Sequence, residues 1–409
     1  MVDTPSITIK KMAEKNKKFT FHTIPASNKA NYNWKEKNGS EFVKNGEDNA
    51  FPQQLIEMYN RSSIHASCIN AIVEGVIGEG LTANEEEYLK RANSKGESWQ
   101  DVFNKSALDY KLHGSYAIEI IYSRDRSRIE VYNVDYSLIR AAEKDHRGHI
   151  PGYYISTKFA EGKKYTNLSE EDYSFLPVYD PNKTEEYSQI FVLNNYRPGQ
   201  LYYSLPDYVG ALRIIDLDQS IDDFHVSNIN NGLAPSLAIT TFTNGQDDQL
   251  KSIEEQLNAN YGGTSNAGSL MYIDVDSPEN APVITPIQQN GTDSYYVTIN
   301  DMVMQKILTA HRITSPMILG IKTDGQLGGR TEMLDAYLLL QNTVIKPYQH
   351  SLLRTFEQLL EYNYSDVVLG IEQKKLFDDG TEEIEVVTDQ ETTDQEESEV
   401  TNETPENLA

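Results

Sequence analysis

The segment 322–330, KTDGQLGGR, sets Gly325, Gly328 and Gly329 between Lys322 and Arg330. Glycine-rich backbone flanked by cations could cradle a phosphate. A nucleotide-hydrolysing loop, however, needs G-x-x-x-x-G-K-[ST], so that amides and a lysine hold the phosphates. The Gly-Lys step is missing from GQLGGRTE, and no such motif occurs in the chain. His146 and His149 stand three apart in DHRGH, but in a turn beside Arg147 and Gly148, a poor setting for a metal. The run DVDSPENAP begins like a calcium loop at Asp274, yet its sixth position is Glu279 and its twelfth Thr285, where glycine and glutamate are required. No G-x-S-x-G or H-E-x-x-H sequence is present. Carboxylates are plentiful enough for a glycosidase pair, but nothing marks two of them as partners. The single cysteine, Cys68, excludes an internal disulfide and a multi-thiolate zinc site. No catalytic residue, cofactor or metal ligand is therefore expected.

Charge narrows the partners. The formal net charge is −26, and from Asp366 onward fifteen Asp or Glu face two Lys, so the last stretch supplies half of it. The acidic remainder is unsuited to tight, general nucleic-acid binding, which works by neutralising phosphates with Lys and Arg. No apolar run reaches the eighteen or so residues of a membrane span, and MVDTPSITIKKMAEKNKK lacks the apolar core of a secretory signal. Assembly in a cytoplasm is the expectation.

The elements that would position any functional residue are set by periodicity. Residues 1–45 are polar, Lys- and Asn-rich, and read as an extended arm. Helical spacing runs from Phe51 to Gly80, with Cys68 on the apolar side as a packing residue, and again over 97–112. Alternation then predicts strands at SYAIEIIYS, RIEVYNV, 152–157, 172–176 and 188–193, an α+β arrangement with a Tyr-rich antiparallel sheet. From 206 to 232 a helix is expected, with Ile214, Leu217, Ile221 and Phe224 on one face and Asp216, Asp218, Asp222 and Asp223 opposite. An insert over 233–290 has strand-like runs at 236–242, 269–275 and 282–287 around a polar helix at 247–260. A second helix over 291–314 carries Ile299, Val303 and Ile307 four apart and stops at Ser315-Pro316. After the glycine loop, a long helix spans 331–364, with Pro347 expected to kink it. The acidic stretch 365–409 reads as disordered.

This order of helix, α/β insert, helix, glycine loop and long helix resembles the tailed-phage portal proteins. The resemblance also rests on Asn-Gly-x-x-Pro-Ser at 231–236, TAHRITSPMILGI, VIKPYQHSLLRTFEQLL, and the entry segment GEDNAFPQQLIEMYNRSSIHASCINAIVEGVIGEGL. It covers most of 45–362. It implies a non-enzymatic structural protein of the virion, a head–tail connector whose copies form a ring of twelve at one capsid vertex. In that scheme 46–205 is the wing, 206–232 and 291–314 are stem helices, 233–290 is the clip, 315–330 carries the tunnel loop, and 331–364 is the kinked helix, with a crown small or missing. Ile214, Leu217, Ile221, Phe224, Ile299, Val303 and Ile307 would pack the stem. Lys322, Asp324, Gln326 and Arg330 would meet double-stranded DNA without reading its sequence, during packaging and ejection. The major capsid protein, the terminase large subunit and a head–tail adaptor are the implied partners, and no membrane is involved. Two other readings stand beside it: another phage structural protein, such as an adaptor or baseplate component, and a carbohydrate-active enzyme using Asp or Glu. A monomer in solution would favour the enzyme, and a large ring would remove it.

Overall fold

The computed structural model describes residues 34–39, 42–164, 169–183, 185–231, 237–241, 270–274, 292–321, 330–375 and 386–388. Two short strands, β1 (Lys37–Asn38) and β2 (Val43–Lys44), pair antiparallel. The arm expected through residue 45 thus gives way to folded chain earlier, because Phe42 and Val43 are apolar and both are buried. Glu36 fixes this entry, its carboxylate accepting from the amides of Leu201, Tyr202 and Tyr203 at 2.7–3.0 Å.

The single helical run expected over 51–80 is two helices, α1 (Phe51–Arg61) and α2 (Ser63–Ile77). Ser62 breaks it. Its backbone is extended, and its hydroxyl accepts from the His65 amide at 3.2 Å, the role serine fills at a helix start. Cys68, Ile69 and Ile72 of α2 are fully buried, so the cysteine is a packing residue as expected, and burial pushes its thiol up to about 12. After β3 (Gly80–Ala83), α3 (Trp99–His113) opens on a capping box between Ser98 and Asp101.

Alternating burial along AIEIIY and IEVYNV makes β4 (Ala117–Tyr122) and β5 (Ile129–Val134) a hairpin with one face inward. Strand β9 (Ser188–Val192) adds on the other side of β4. A second antiparallel sheet holds β6 (Ile139–Ala141), β7 (Gly152–Ile155) and β8 (Ser174–Pro177). Val43, Ala117, Tyr136, Ile139, Tyr153, Ile190 and Tyr203 form a core that draws on both sheets. Tyr203 is its polar anchor, donating to the Val43 carbonyl and accepting from the Ala141 amide.

Two long helices come next, α4 (Leu212–Asn231) and α5 (Thr292–Ala310), packed on each other. Between them β10 (Leu237–Thr241) and β11 (Leu270–Asp274) pair in parallel. The expected helix at 247–260 and strand at 282–287 lie outside the described residues. Helix α6 (Arg330–Leu340) then runs through a π-turn, Gln341–Ile345, into α7 (Lys346–Asn363). Pro347 occupies the start of α7 just past that turn, so the departure from regular α-helix falls on the residues before the proline. Phe356 of α7 meets Trp99 and Phe103 edge-on, seating α7 on α3.

The disordered stretch expected from 365 does not start there. Residues 369–372 form β12 (Leu369–Glu372), antiparallel to β3 and to β13 (Val386–Thr388). Leu369 and Ile371 are buried, which a uniformly acidic, solvated tail could not provide.

The close approach at Gly114 joins α3 tightly to the segment leading into α4. Gly114 ends α3 in the left-handed region, at φ 77°, with its amide on the Tyr110 carbonyl at 2.9 Å. A Cβ there would lie 2.4 Å from the Leu205 carbonyl oxygen and 2.7 Å from the Pro206 nitrogen, backbone atoms that cannot swing aside. Gly114→Ala is expected to destabilise the protein by about 3 kcal/mol or more, combining the left-handed penalty with this clash. A thermal or urea unfolding curve indistinguishable from wild type would contradict it.

Candidate functional site: two long helices and their buried root

Where α4 leaves the body and α5 returns to it, a set of polar side chains is buried together. Lys111, on α3, is fully enclosed. Its ammonium donates to both oxygens of Asp207 at 2.8 and 2.9 Å and lies 5.9 and 5.5 Å from the rings of Tyr208 and Tyr348. Burial lowers the lysine's pKa, while the Asp207 carboxylate works in the opposite direction. Tyr208, also fully buried, donates to the Leu112 carbonyl at 2.6 Å, so Asp207 and Tyr208, shortly before α4, are both tied to the end of α3.

The return of α5 is held at the same place. His311 comes directly after α5, and its Nε2 lies 2.8 Å from Nδ1 of His65 on α2. The Tyr208 ring sits against both imidazoles, at 4.7 Å from His65 and 4.9 Å from His311. Arg312 takes a left-handed backbone conformation, φ 61°, and donates to the Thr343 carbonyl at 2.6 Å. That carbonyl belongs to the π-turn, whose wider ring leaves acceptors off the regular ladder.

Burial drives the His65 pKa down to about 3, with the Lys111 charge adding to it, and holds His311 well below its ordinary value. Both rings are therefore neutral in the folded protein, one nitrogen donating and the other accepting. In the unfolded chain they protonate near pH 6.5, so unfolding takes up protons as the pH falls. Their contribution is complete above about pH 6.5 and is lost progressively towards pH 3. By pH 5 each imidazole costs about 2 kcal/mol of stability. Burial pushes the Asp109 carboxyl up to about 8, which favours the folded state as the pH falls and opposes the imidazoles. The measurement is therefore a comparison. The melting temperature is expected to fall more, or rise less, between pH 7 and pH 5 in the wild type than in His311→Gln; equal profiles would contradict neutral burial.

The acidic face of α4 has a use within the chain. Asp218 accepts from the Ser62 hydroxyl at 2.7 Å, and Asp223 from Arg61 at 2.6 Å. These bonds turn that part of the face towards the α1–α2 junction. Ser62 thereby serves twice, capping α2 and donating to α4. Desolvation raises the Asp218 pKa, with the serine partly opposing.

On α4 the side chains packed within the chain are Leu212, Ile215 and Gln219, whereas Ile214 and Ile221 are half-buried and Leu217 is exposed. The side chain of Phe224 is outside the described set. On α5, Val303 and Ile307 are fully buried and Ile299 is half-buried. Arg330, exposed, begins α6. Lys322, Asp324 and Gln326 lie outside the described residues. Near the turn 145–149, Asp145 accepts from the amides of Arg147 and His149 at 2.8 and 2.9 Å, so that loop is closed by a carboxylate. Sequence reasoning missed the root itself. Its only trace was a lysine between apolar Leu108 and Leu112 on α3.

The site thus joins an α+β body, built on three three-stranded sheets, to a pair of long helices that start and finish at one place. Residues 81–380 match the family model described as Phage portal protein, well over half of the chain. The chain belongs to the phage portal protein family, and its function is that of a portal protein. Among curated proteins it is 25% identical over 174 residues to a probable portal protein of Haemophilus phage HP1, covering 41% of this chain and 48% of that one. It is 22% identical over 337 residues to an uncharacterised protein of Rickettsia felis, covering 78% of this chain and 80% of the relative. Among solved structures, a chain in the neck of a native gene transfer agent particle, computed with C12 symmetry, superposes with a TM-score of 0.51 at 14% identity, covering 82% of this chain and 85% of that one. That likeness shows the fold. No helix among the described residues is long and apolar enough to cross a membrane.

Proposed function

We propose that the chain is one subunit of a closed ring of twelve at a capsid vertex, with α4 and α5 as the stem around a DNA channel. The observation that carries this reading is where the exposed apolar side chains fall. Seven of the thirteen exposed large apolar residues among the described ones lie on α4, α5 and α6: Leu217, Val226, Val297, Met302, Leu334, Leu338 and Leu339. A monomer would keep such side chains in water, whereas ring closure against like helices buries them. The C12 symmetry of the gene transfer agent neck is consistent with twelve copies.

In this reading 46–205 with 331–364 is the wing, 233–290 the clip, and 315–330 the tunnel loop. Lys322 and Arg330 touch the phosphate backbone without reading bases, and Asp324 and Gln326 add polar contacts. The terminase large subunit docks during packaging, a head–tail adaptor docks afterwards, and the major capsid protein surrounds the ring. Translocation energy comes from a separate ATPase, and this chain acts as a passive conduit assembled in the bacterial cytoplasm. Electron microscopy with native mass measurement tests it: rings with a central hole and a mass near twelve subunits are expected. Leu338→Asp should leave the melting temperature of the monomer unchanged and abolish rings. Rings that persist would remove α6 from the interface. Deleting 325–329 should spare assembly and impair packaging; loss of assembly instead would contradict the loop's role.

A further inference from the structure

On the side of α3 facing away from Lys111, another polar group is set apart from the root. Asp109 and His113 are four residues apart on α3 and so share one face. Asp135 stands opposite, immediately after β5. One ring nitrogen of His113 and one carboxylate oxygen from each aspartate all lie within 4.8 Å of one another. Both carboxylates are oriented by neighbours: Asp135 accepts from the Ser137 amide at 2.9 Å, and Asp109 from the Asn133 side-chain amide at 3.3 Å. Outer hydrogen bonds of this kind aim carboxylates that ligate metals.

His113 supplies an independent sign. It is 2% exposed, and its Nδ1 is buried with no hydrogen-bond partner. A buried imidazole with an unpaired nitrogen, on a ring grouped with two carboxylates, is an orphan that a cation would satisfy. Arg140, whose charge acts on His113, is engaged elsewhere: it donates to Asn49 and to the Ser137 and Ile139 carbonyls, and it lies 4.6 Å from the Phe159 ring. Asp135 is exposed, which gives an ion a way in.

We propose that Asp109, His113 and Asp135 bind one divalent first-row transition-metal ion, which fastens the end of α3 to the corner between β5 and β6. One imidazole with two carboxylates suits zinc better than calcium, which takes six to eight oxygens. Three protein ligands leave a fourth position for water. Ligand atoms around tetrahedral zinc sit ~3.4 Å apart, so the group closes slightly on the ion. Because α3 also carries Lys111, the ion would stiffen the helix that anchors the start of α4. The role is structural and adds no catalytic step.

The test uses the full chain, stripped with a chelator and titrated with Zn2+ against a chromogenic competitor, with metal content measured after gel filtration. One retained ion per chain is expected, together with a rise in melting temperature on adding Zn2+. Asp135→Asn keeps an oxygen for the Ser137 amide and should fold, yet it is expected to weaken Zn2+ binding by about 100-fold and remove the thermal shift. The His146→Gln, His149→Gln double variant should bind as wild type does. No retained zinc, or equal retention by Asp135→Asn, would overturn the site; loss of binding in the double variant would place the metal at the surface turn instead.

Discussion

Replacing Asp207 by Asn is expected to destabilise the protein by about 3–5 kcal/mol, the range for stripping one partner from a buried ion pair. The reason lies in the asymmetry of the pair. The Lys111 side chain is fully buried, whereas Asp207 keeps 28% of its side-chain surface in water. Removing the carboxylate strands an ammonium among Tyr208, Tyr348 and Cys68. Removing the lysine, as in Lys111→Met, leaves a carboxylate that water still reaches. The Asn variant should therefore be the less stable of the two, an ordering that charge deletion alone would not give. The damage also has a pH signature. A lysine whose folded pKa is depressed favours the neutral form, so the Asn variant should regain stability as the pH rises from 7 to 9. Equal stability of the two variants, or a pH-independent deficit in Asp207→Asn, would show that the pair is not what holds the root.

Ending the chain at Asp366 should have an effect of similar size. It removes Leu369 and Ile371, each almost wholly buried, worth about 1.5–3 kcal/mol apiece. It also dismantles a buried amide chain. Gln373 donates to Gln349 at 3.2 Å and accepts from Gln341, while Gln349 donates to the Gly75 and Val76 carbonyls at 3.2 Å. Without Gln373, two buried glutamines lose partners, and unsatisfied buried amides are costly. A chain ending at Lys375 keeps β12 and this network and should lose less than half as much. Urea denaturation of the two truncations decides the matter: matching midpoints would mean that β12 contributes nothing.

Much of the body was legible because its signals are local. The alternation in AIEIIY and IEVYNV and the helical spacing over 97–112 each act within a few residues. The β12 segment was hidden by averaging: LGIE is apolar enough to be buried, but it is embedded in a stretch whose acidity dominates any wide window. The break at Ser62 was hidden for the opposite reason, since apolar spacing continues on both sides and only the cap interrupts it. On α4 the period was read correctly, and the structure adds a second apolar stripe to the one read from the sequence. Leu212 and Ile215 pack within the chain, leaving Leu217 outward, because one helix with apolar residues on two sides offers two stripes of similar strength. The root was out of reach of periodicity altogether. His65 and His311 are 246 residues apart, and nothing in either neighbourhood marks the other.

Tyr208 and His311, the residues flanking everything from α4 to α5, have ring centroids only 4.9 Å apart. The hundred or so residues between them thus start and finish at touching points. Backbone joined at such neighbouring points tolerates exchange of the inserted part, since neither end must move. The contacts of Lys111, Asp207, Tyr208, His65 and His311 hold both ends of that stretch at one place.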